Sequence, residues 1–439
     1  MITFRDRKCR MSELSRWARV VVFVISCLLP LTSHLSIHAQ RYVGGDISLL
    51  PQYEKYNVPY YDADGQKITD MLQYMKSEAV GWNAQRVRLF VNPTPSLDYN
   101  DPAICQDIDY VVSFGKRIKE AGFAFMLDFH YSDSWADPAK QWTPVEWQSL
   151  SDEELQARLY DYTKDCLKRL VEAGATPDFI QTGNEISYGM LWGKKDTKSN
   201  RCYTNSDANW PRFIALLQQA VKACREVCPE AKVIIHTERA GEPQTTVDIY
   251  KRLAGVDYDI IGLSYYPFWH KNLATLSQTL EQLATNFPEK QVQIVETAYY
   301  YQWKPSEGNT WDSFSTWADT PEGQAAFVRD LIAELNKHSN VNALYWWFPE
   351  ENGNGPDNQV ITGWLNRGLW DANNHRALPA LYELKAFLSA ETSVRSLASD
   401  LLSLTSETWY TLQGVRLPSK PTHTGFYIRG GRKVLSTSE

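Results

Sequence analysis

Two glutamates stand where apolar runs of the chain end. In "FIQTGNEISYG", Phe179 to Gly189, the run closes on Asn184 and Glu185, with a glycine just before the pair and another shortly after it. In "VQIVETAYYY" a second run closes on Glu296. Two carboxylates brought face to face are the minimal equipment for glycoside hydrolysis: one stays protonated to donate to the leaving oxygen, the other is ionised and attacks. Unequal surroundings can push their pKa values apart to allow this. Glu185 is the expected proton donor, and Asn184 beside it a hydrogen-bond donor to a sugar hydroxyl. Arg88, at the end of "AQRVRLFV", is the expected cation that keeps the nucleophile charged. If Glu185 and Glu296 close to about 5 to 5.5 Å, no attacking water fits between them and the reaction runs through a covalent intermediate with retention.

Other chemistries lack their equipment. The chain has no G-x-S-x-G elbow and no Walker loop. Asp128, His130, His236 and His270 are conceivable metal ligands, but no H-x-H or H-E-x-x-H occurs, so neither a metal nor another cofactor is expected. His130 is expected to hydrogen-bond substrate or a carboxylate. A formal charge of -7 offers no basic stripe for nucleic acid. Sixteen Trp and 24 Tyr supply core filling and also flat platforms of the kind that sugar rings occupy.

The elements that must position these residues can be read from periodicity. "YVGGDIS", "AQRVRLFV", "FAFMLDFH", "DFIQTGNE", "KVIIHTE", "DIIGLSYY", "VQIVETA" and "NALYWWF" read as eight strands. Between them, segments such as "IDYVVSFGKRIKEAG" carry apolar residues at helical spacing. That alternation predicts an α/β fold of the (β/α)8 barrel type. A doubly wound open sheet would favour G-x-G-x-x-G after the first strand, and "GGDISLLPQYE" has none. In a barrel the function gathers at the C-terminal strand ends, and polar or aromatic residues fall there: Asp46, Arg88, Asp128, His130, Asn184, Glu185, His236, Tyr265, Glu296 and Trp346. Strands four and seven lie across the mouth, so their glutamates can meet.

Residues 1–39 read as a signal peptide, with a basic stretch, the apolar "VVVFVISCLLPL" and a cleavage site after Ala39. Cys27 raises the alternative of a lipid anchor. The five cysteines beyond the signal, an odd number without a repeated C-x-x-C, are expected to be free thiols. Residues 40–390 hold the catalytic barrel and 391–408 a Ser/Thr-rich linker. Within the tail at 409–439, "YIRGGRKVL" predicts a β-hairpin around Gly-Gly.

The segments "GGDISLLPQYEKYNVPYYDADG", "RVRLFVNP", "LDFHYSDSWADPAKQ", "IQTGNEISYGMLWG", "GLSYYPFWH" and "VETAYYY", in that order, resemble the signature segments of glycoside hydrolase family 53, over about residues 41 to 388. The resemblance implies an endo-β-1,4-galactanase acting on the (arabino)galactan side chains of pectin, with retention. It implies Glu185 as acid/base and Glu296 as nucleophile, and a site lined by Asp46, Arg88, Asp128, His130, Asp133, Trp135, Asn184, Tyr265, Trp269 and Trp346. The chain departs from the family where members often read Y-W-E-P and it reads "YWWFPE", and where "AYYYQWKPSEGNTWDSF" lacks the acidic run that binds calcium in some bacterial members. The tail resembles the sorting domains of type IX secretion in Bacteroidota, which implies secretion or attachment at the outer cell surface; a monomer is expected. The alternatives are a mannanase or xylanase of the same clan, or a surface protein that binds glycan without cutting it. If the tail is a separate appendage, ending the chain at about residue 390 leaves specific activity on galactan near that of the full chain; a large loss of activity or folding would show that the tail packs on the barrel.

Overall fold

Strands β1 (Tyr42–Asp46), β2 (Ala84–Leu89), β3 (Ala124–Phe129), β4 (Phe179–Thr182), β5 (Lys232–Thr237), β6 (Ile260–Ser264), β7 (Gln291–Thr297) and β8 (Val341–Trp347) pair in parallel, each with the next, and β8 pairs with β1 to close the ring. The (β/α)8 barrel expected from the sequence is the architecture found. In this computed structural model the described residues are 40–196, 202–302, 316–353 and 366–390, together with the backbone of 409–410, 416–417, 425–429 and 432–436. The expected signal peptide, the linker and residues 303–315 of the loop after β7 lie outside them.

Alternation along each strand sorts the side chains into two cores. Ala84, Met126, Phe179, Ile234, Ile260, Val295, Ala343 and Tyr345 fill the barrel as an apolar floor. Val43, Val87, Leu127, Ile180, Ile235, Leu263, Ile294 and Leu344 face outward into the larger core beneath the helices. The helices follow from their caps and stripes. Asp107 caps Ile108–Glu120 by accepting from Tyr110 N. Ser151 and Glu154 form a reciprocal capping box at the start of Asp152–Glu172, which buries Leu155, Leu159, Cys166, Leu167 and Leu170. Above the apolar floor the inward positions turn polar: Asp46, Arg86, Arg88, Asp128, Gln181, His236 and Ser264 all lie at 1% exposure or less. Among the described strand residues, buried charge therefore gathers at the C-terminal end of the barrel, where the loops meet.

Beside β6, strand β7 breaks the alternation. Leu263 of β6 pairs with Ile294, but the next residue, Ser264, pairs with Glu296. β7 thus carries an extra residue at this point, and a bulge re-aims the side chains beyond it. Val295 sits in the inner floor, yet Glu296 also points inward, where it meets Arg86.

Of the five cysteines beyond the expected signal, Cys166, Cys224 and Cys228 are buried free thiols, Cys105 is free and half-buried, and Cys202 is buried. No described helix is long and apolar enough to cross a membrane. In the tail, β9 (Trp409–Tyr410), β10 (Arg416–Leu417), β11 (Gly425–Arg429) and β12 (Arg432–Ser436) form a four-stranded sheet. β11 and β12 pair antiparallel with Arg429 opposite Arg432, the two strands that the sequence predicts on either side of its Gly-Gly pair, which itself lies outside the described residues.

The approach of β1 to β2 tolerates no side chain at one position. A Cβ on Gly44 would lie 1.9 Å from the Ala84 carbonyl oxygen, which belongs to the sheet ladder and cannot swing away. Gly44→Ala should destabilise the barrel by about 1–3 kcal/mol or more, read as a lowered melting temperature; a wild-type melting curve would show that the two strands can part there.

Candidate active site

Arg86 on β2 sits at the centre of the polar layer. Its Nη1 meets Asp46 Oδ2 at 2.7 Å, and its Nη2 meets Asp128 Oδ2 at 2.8 Å and Glu296 Oε1 at 2.9 Å. Nη2 also donates to Asn184 Oδ1 at 2.9 Å, and Nε donates to Gln181 Oε1 at 3.3 Å. The guanidinium is 1% exposed, so its fixed fork of donors is spent wholly on protein acceptors.

This placement corrects the expectation for Arg88. Arg88 Nη1 reaches Asp46 Oδ1 at 3.2 Å, and its guanidinium lies 4.5 Å from the centre of the Trp135 ring. The cation against Glu296 is Arg86. Both arginines face inward, two residues apart, and Arg86 lies one step deeper, level with Asp46 of β1 and with Met126 of β3.

The two glutamates have different surroundings. Glu296 is 5% exposed; beyond Arg86 on Oε1 it accepts the Tyr266 hydroxyl on Oε2 at 2.9 Å. Burial raises its pKa, with Arg86 and the Tyr266 hydrogen bond opposing and Asp128 and Asp46 adding to the rise. Glu185 has no cation at hydrogen-bond distance. Ser264 Oγ donates to its Oε1 at 2.6 Å. Burial, then the charges of Glu296 and Glu238, lift the Glu185 pKa well above the ordinary carboxylate range. The pair is therefore split in one direction, with Glu185 holding its proton to higher pH than Glu296.

A neutral histidine supports Glu185. His236 Nδ1 receives N–H donors from Gln181 Nε2 at 3.0 Å and from the Glu185 backbone at 3.3 Å. Its proton therefore sits on Nε2, which faces Ser264 Oγ at 2.8 Å. Burial and Arg86 press the His236 pKa well below its ordinary value. The chain Nε2–H to Ser264 Oγ–H to Glu185 Oε1 fixes the orientation of the carboxyl. Its backbone is fixed too, at φ 50 and ψ 52 in the left-handed region. Strain of this kind costs about 1–3 kcal/mol and persists only where neighbours over-determine the residue. Gly183 and Gly189, at φ 94 and 85, bracket the turn; a Cβ on Gly189 would strike the Cys202 carbonyl oxygen at 1.8 Å.

Around this pair, Asp128 is taken up by Arg86, by His130 Nε2 at 3.1 Å and by Gln181 Nε2 at 2.5 Å. Burial opposes its ionisation, but Arg86 and His130 hold its carboxyl below the usual range. His130 Nδ1 accepts from Ala136 N at 3.1 Å, so Nε2 carries the proton given to Asp128. Asn184 spends one N–H on the Ala136 carbonyl at 2.8 Å. Trp135 is half-buried, fixed by Nε1 donating to Asp101 Oδ2 at 2.8 Å, with its ring 6.1 Å from that of Trp347. Trp269 is 40% exposed and meets the Tyr266 ring edge-on at 5.4 Å.

Three further expectations are corrected. Tyr265 is fully buried in the outer core, and its hydroxyl donates to the Lys271 carbonyl at 3.1 Å; Tyr266 is the residue that faces Glu296. Trp346 is likewise fully buried and donates Nε1 to the Arg367 carbonyl at 2.8 Å, while Trp347 turns toward Trp135. Asp133 staples loops rather than lining the site, accepting from Asn92 N at 3.0 Å and Val145 N at 2.8 Å. The residues missed were Arg86, Gln181, Ser264, Tyr266 and Trp347. All five could have been found by carrying the alternation up from the apolar floor residue by residue. Among the described residues no cluster of His, Cys, Asp or Glu is arranged to hold a metal ion.

Arg86→Lys should lower the melting temperature sharply, because one ammonium cannot replace the fork that serves three buried carboxylates. Loss of a partner from a buried ion pair typically costs about 3–5 kcal/mol. A melting curve within a degree or two of wild type would show that the carboxylates repack without the fork.

Comparison with known proteins places this geometry. The model of glycosyl hydrolase family 53 matches residues 42–384. The chain is 36% identical over 368 residues to a protein of Niallia circulans described as uncharacterised, covering 80% of this chain and 95% of that one. It is 31% identical over 342 residues to the endo-β-1,4-galactanase of Bacillus subtilis (strain 168), covering 75% and 73%. Among solved structures, the GH53 catalytic domain of Ignisphaera aggregans superposes with a TM-score of 0.69 at 30% identity, over 81% of this chain and 98% of that one.

Proposed function

The chain belongs to glycosyl hydrolase family 53, and from that premise we propose that it is an endo-β-1,4-galactanase that cuts (arabino)galactan chains with retention, using Glu296 as nucleophile and Glu185 as acid/base. The observation that carries the assignment is the asymmetry of the pair. Glu296 is held by a guanidinium at 2.9 Å and a phenol at 2.9 Å, both of which favour its anion. Glu185 faces no cation, and the like charges of Glu296 and Glu238 favour its protonated form.

The reaction follows from these protonation states. Glu185 gives its proton to the glycosidic oxygen as Glu296 attacks the anomeric carbon, forming a glycosyl-enzyme and releasing the aglycone. Glu185, now ionised, takes a proton from water, which displaces Glu296 from the same carbon; two inversions give net retention. Once Glu296 is esterified to the anomeric carbon and has lost its charge, Arg86 retains Asp46 and Asp128 as partners, so the arginine is never stranded. Asn184, with one N–H on Ala136, has a second with which to bind a sugar hydroxyl. Trp135, Trp347 and Trp269 supply ring faces for the sugar. The axial C4 hydroxyl of galactose offers the discriminating contact, since sites that hydrogen-bond a hydroxyl reject analogues that cannot meet it. The basic and apolar N-terminal segment and the short β tail support the reading of a monomer exported to the medium or the cell surface.

Linear β-1,4-galactan should be cleaved internally and fast, with little action on mannan or xylan. Fresh reducing ends should be β by NMR before mutarotation; an α product would refute the pairing of roles. Glu296→Ala should abolish turnover on every substrate. Glu185→Ala should spare the first step for substrates with good leaving groups, and added azide should then speed release of the glycosyl group. The rate should fall at low pH as Glu296 takes up a proton and at high pH as Glu185 loses one.

A further inference from the structure

Glu238 is the first residue beyond β5 and is 7% exposed. Its Oε1 accepts the Ser187 hydroxyl and lies 2.9 Å from Arg239 Nε. Ser187 is the middle residue of the single turn Ile186–Tyr188 that Glu185 opens. Arg239 completes a clamp on the same turn: its Nε donates to Ser187 Oγ at 3.0 Å, and its guanidinium lies 4.5 Å from the centre of the Tyr188 ring. The other oxygen, Glu238 Oε2, is buried with no hydrogen-bond partner. A desolvated carboxylate oxygen left unmatched costs stability and calls for an explanation.

We propose that Glu238 is a positioning residue for Glu185: through Ser187 and Arg239 it clamps the strained turn that carries the acid, and its carboxylate sets a like charge behind that acid. This rests on the assignment of Glu185 as the acid. The left-handed backbone of Glu185 needs neighbours that over-determine it, and the clamp supplies them from the end of β5, the strand next to β4. The groups that face Glu238 are Ser187 on the turn, Glu185 itself, Arg239 and Glu242 on its own loop, and Tyr250 on helix Pro243–Arg252; Tyr188 and His270 lie near its partner Arg239. Arg239 is shared between Glu238 and Glu242, whose Oε1 it meets at 2.9 Å, so it only partly neutralises either. The charge of Glu238 acts with burial and Glu296 to hold the Glu185 proton. Burial also raises the pKa of Glu238, against Arg239 and Ser187.

The sign of the effect is fixed. Removing a like charge lowers the pKa of Glu185, so the high-pH limb of the rate profile must move to lower pH. The test is kcat and kcat/KM against pH on linear β-1,4-galactan for the full chain and for Glu238→Gln, Glu238→Asp and Ser187→Ala. Parallel assays use a dinitrophenyl β-galactobioside, whose leaving group needs no proton. Glu238→Gln should shift the high-pH limb down by about half a unit or more and lower kcat on galactan about tenfold, within the range of general acid catalysis, while the activated substrate changes less than twofold. Glu238→Asp should restore the limb. Ser187→Ala should keep the limb and lose a few-fold in kcat on galactan. An unshifted limb in Glu238→Gln overturns the proposal, whatever happens to the rate; if that variant does not fold, an unchanged kcat in Ser187→Ala overturns it. Failure of the wild type to cut galactan, or galactan turnover by Glu185→Ala, would instead overturn the assignment of the acid.

Discussion

A single buried guanidinium organises the mouth of this barrel. Arg86 binds carboxylates from β1, β3 and β7 and amide oxygens from β4 and the residue that precedes Glu185. Five groups on four further strands or their ends are thereby fixed to one rigid, planar fork. Three anions around one cation leave the cluster net negative, which burial alone would forbid; Arg88 on Asp46 brings a second cation, and His130 gives Asp128 a further hydrogen-bond donor. The result is a site whose charges are set before any ligand arrives, the condition under which electrostatic stabilisation acts without reorganisation.

The same fork divides the labour of the two glutamates. Glu296 lies within its reach and Glu185 does not, although both end strands of one ring. Glu185 is governed by a different line of contacts, from Gln181 through neutral His236 and Ser264. Gln181 belongs to both lines, since it also touches Arg86 and Asp128. One amide thus couples the charged half of the site to the neutral half.

How much of this was legible in the chain depends on the kind of signal. Eight apolar runs with helical stretches between them were enough for the barrel, because strand and helix periods differ and a closed parallel ring buries both faces. Glu185 and Glu296 stood out because each ends an apolar run. The errors came from reading strand ends by residue type and not by face. Tyr265 and Tyr266 are adjacent, as are Trp346 and Trp347, and in each pair composition cannot choose; the structure ties the first of each to a backbone carbonyl and turns the second toward Glu296 or Trp135. Alternation from Ile260, Gly262 and Ser264, or from Ala343 and Tyr345, gives the right member. Arg86 escaped notice because it lies below the strand end, where a charge is costly unless partners from other strands converge on it, and that convergence is tertiary. The bulge in β7 was beyond reach, since nothing local in "VQIVETA" announces an extra residue.

That bulge has a meaning for the symmetry of the molecule. A barrel of eight like units has an approximate rotational repeat, and nothing in an ideal one distinguishes a seventh strand from a third. The extra residue before Glu296 works as an edge dislocation does in a crystal: a row inserted on one side of a boundary, with the lattice intact below it and displaced above. Below it Ile294 keeps step with Leu263; above it Glu296 has moved into the place opposite Ser264. Chemistry that needs two unlike groups cannot be housed in a repeat that makes all positions equivalent, and in this chain the lattice defect is one of the features that make them unequal.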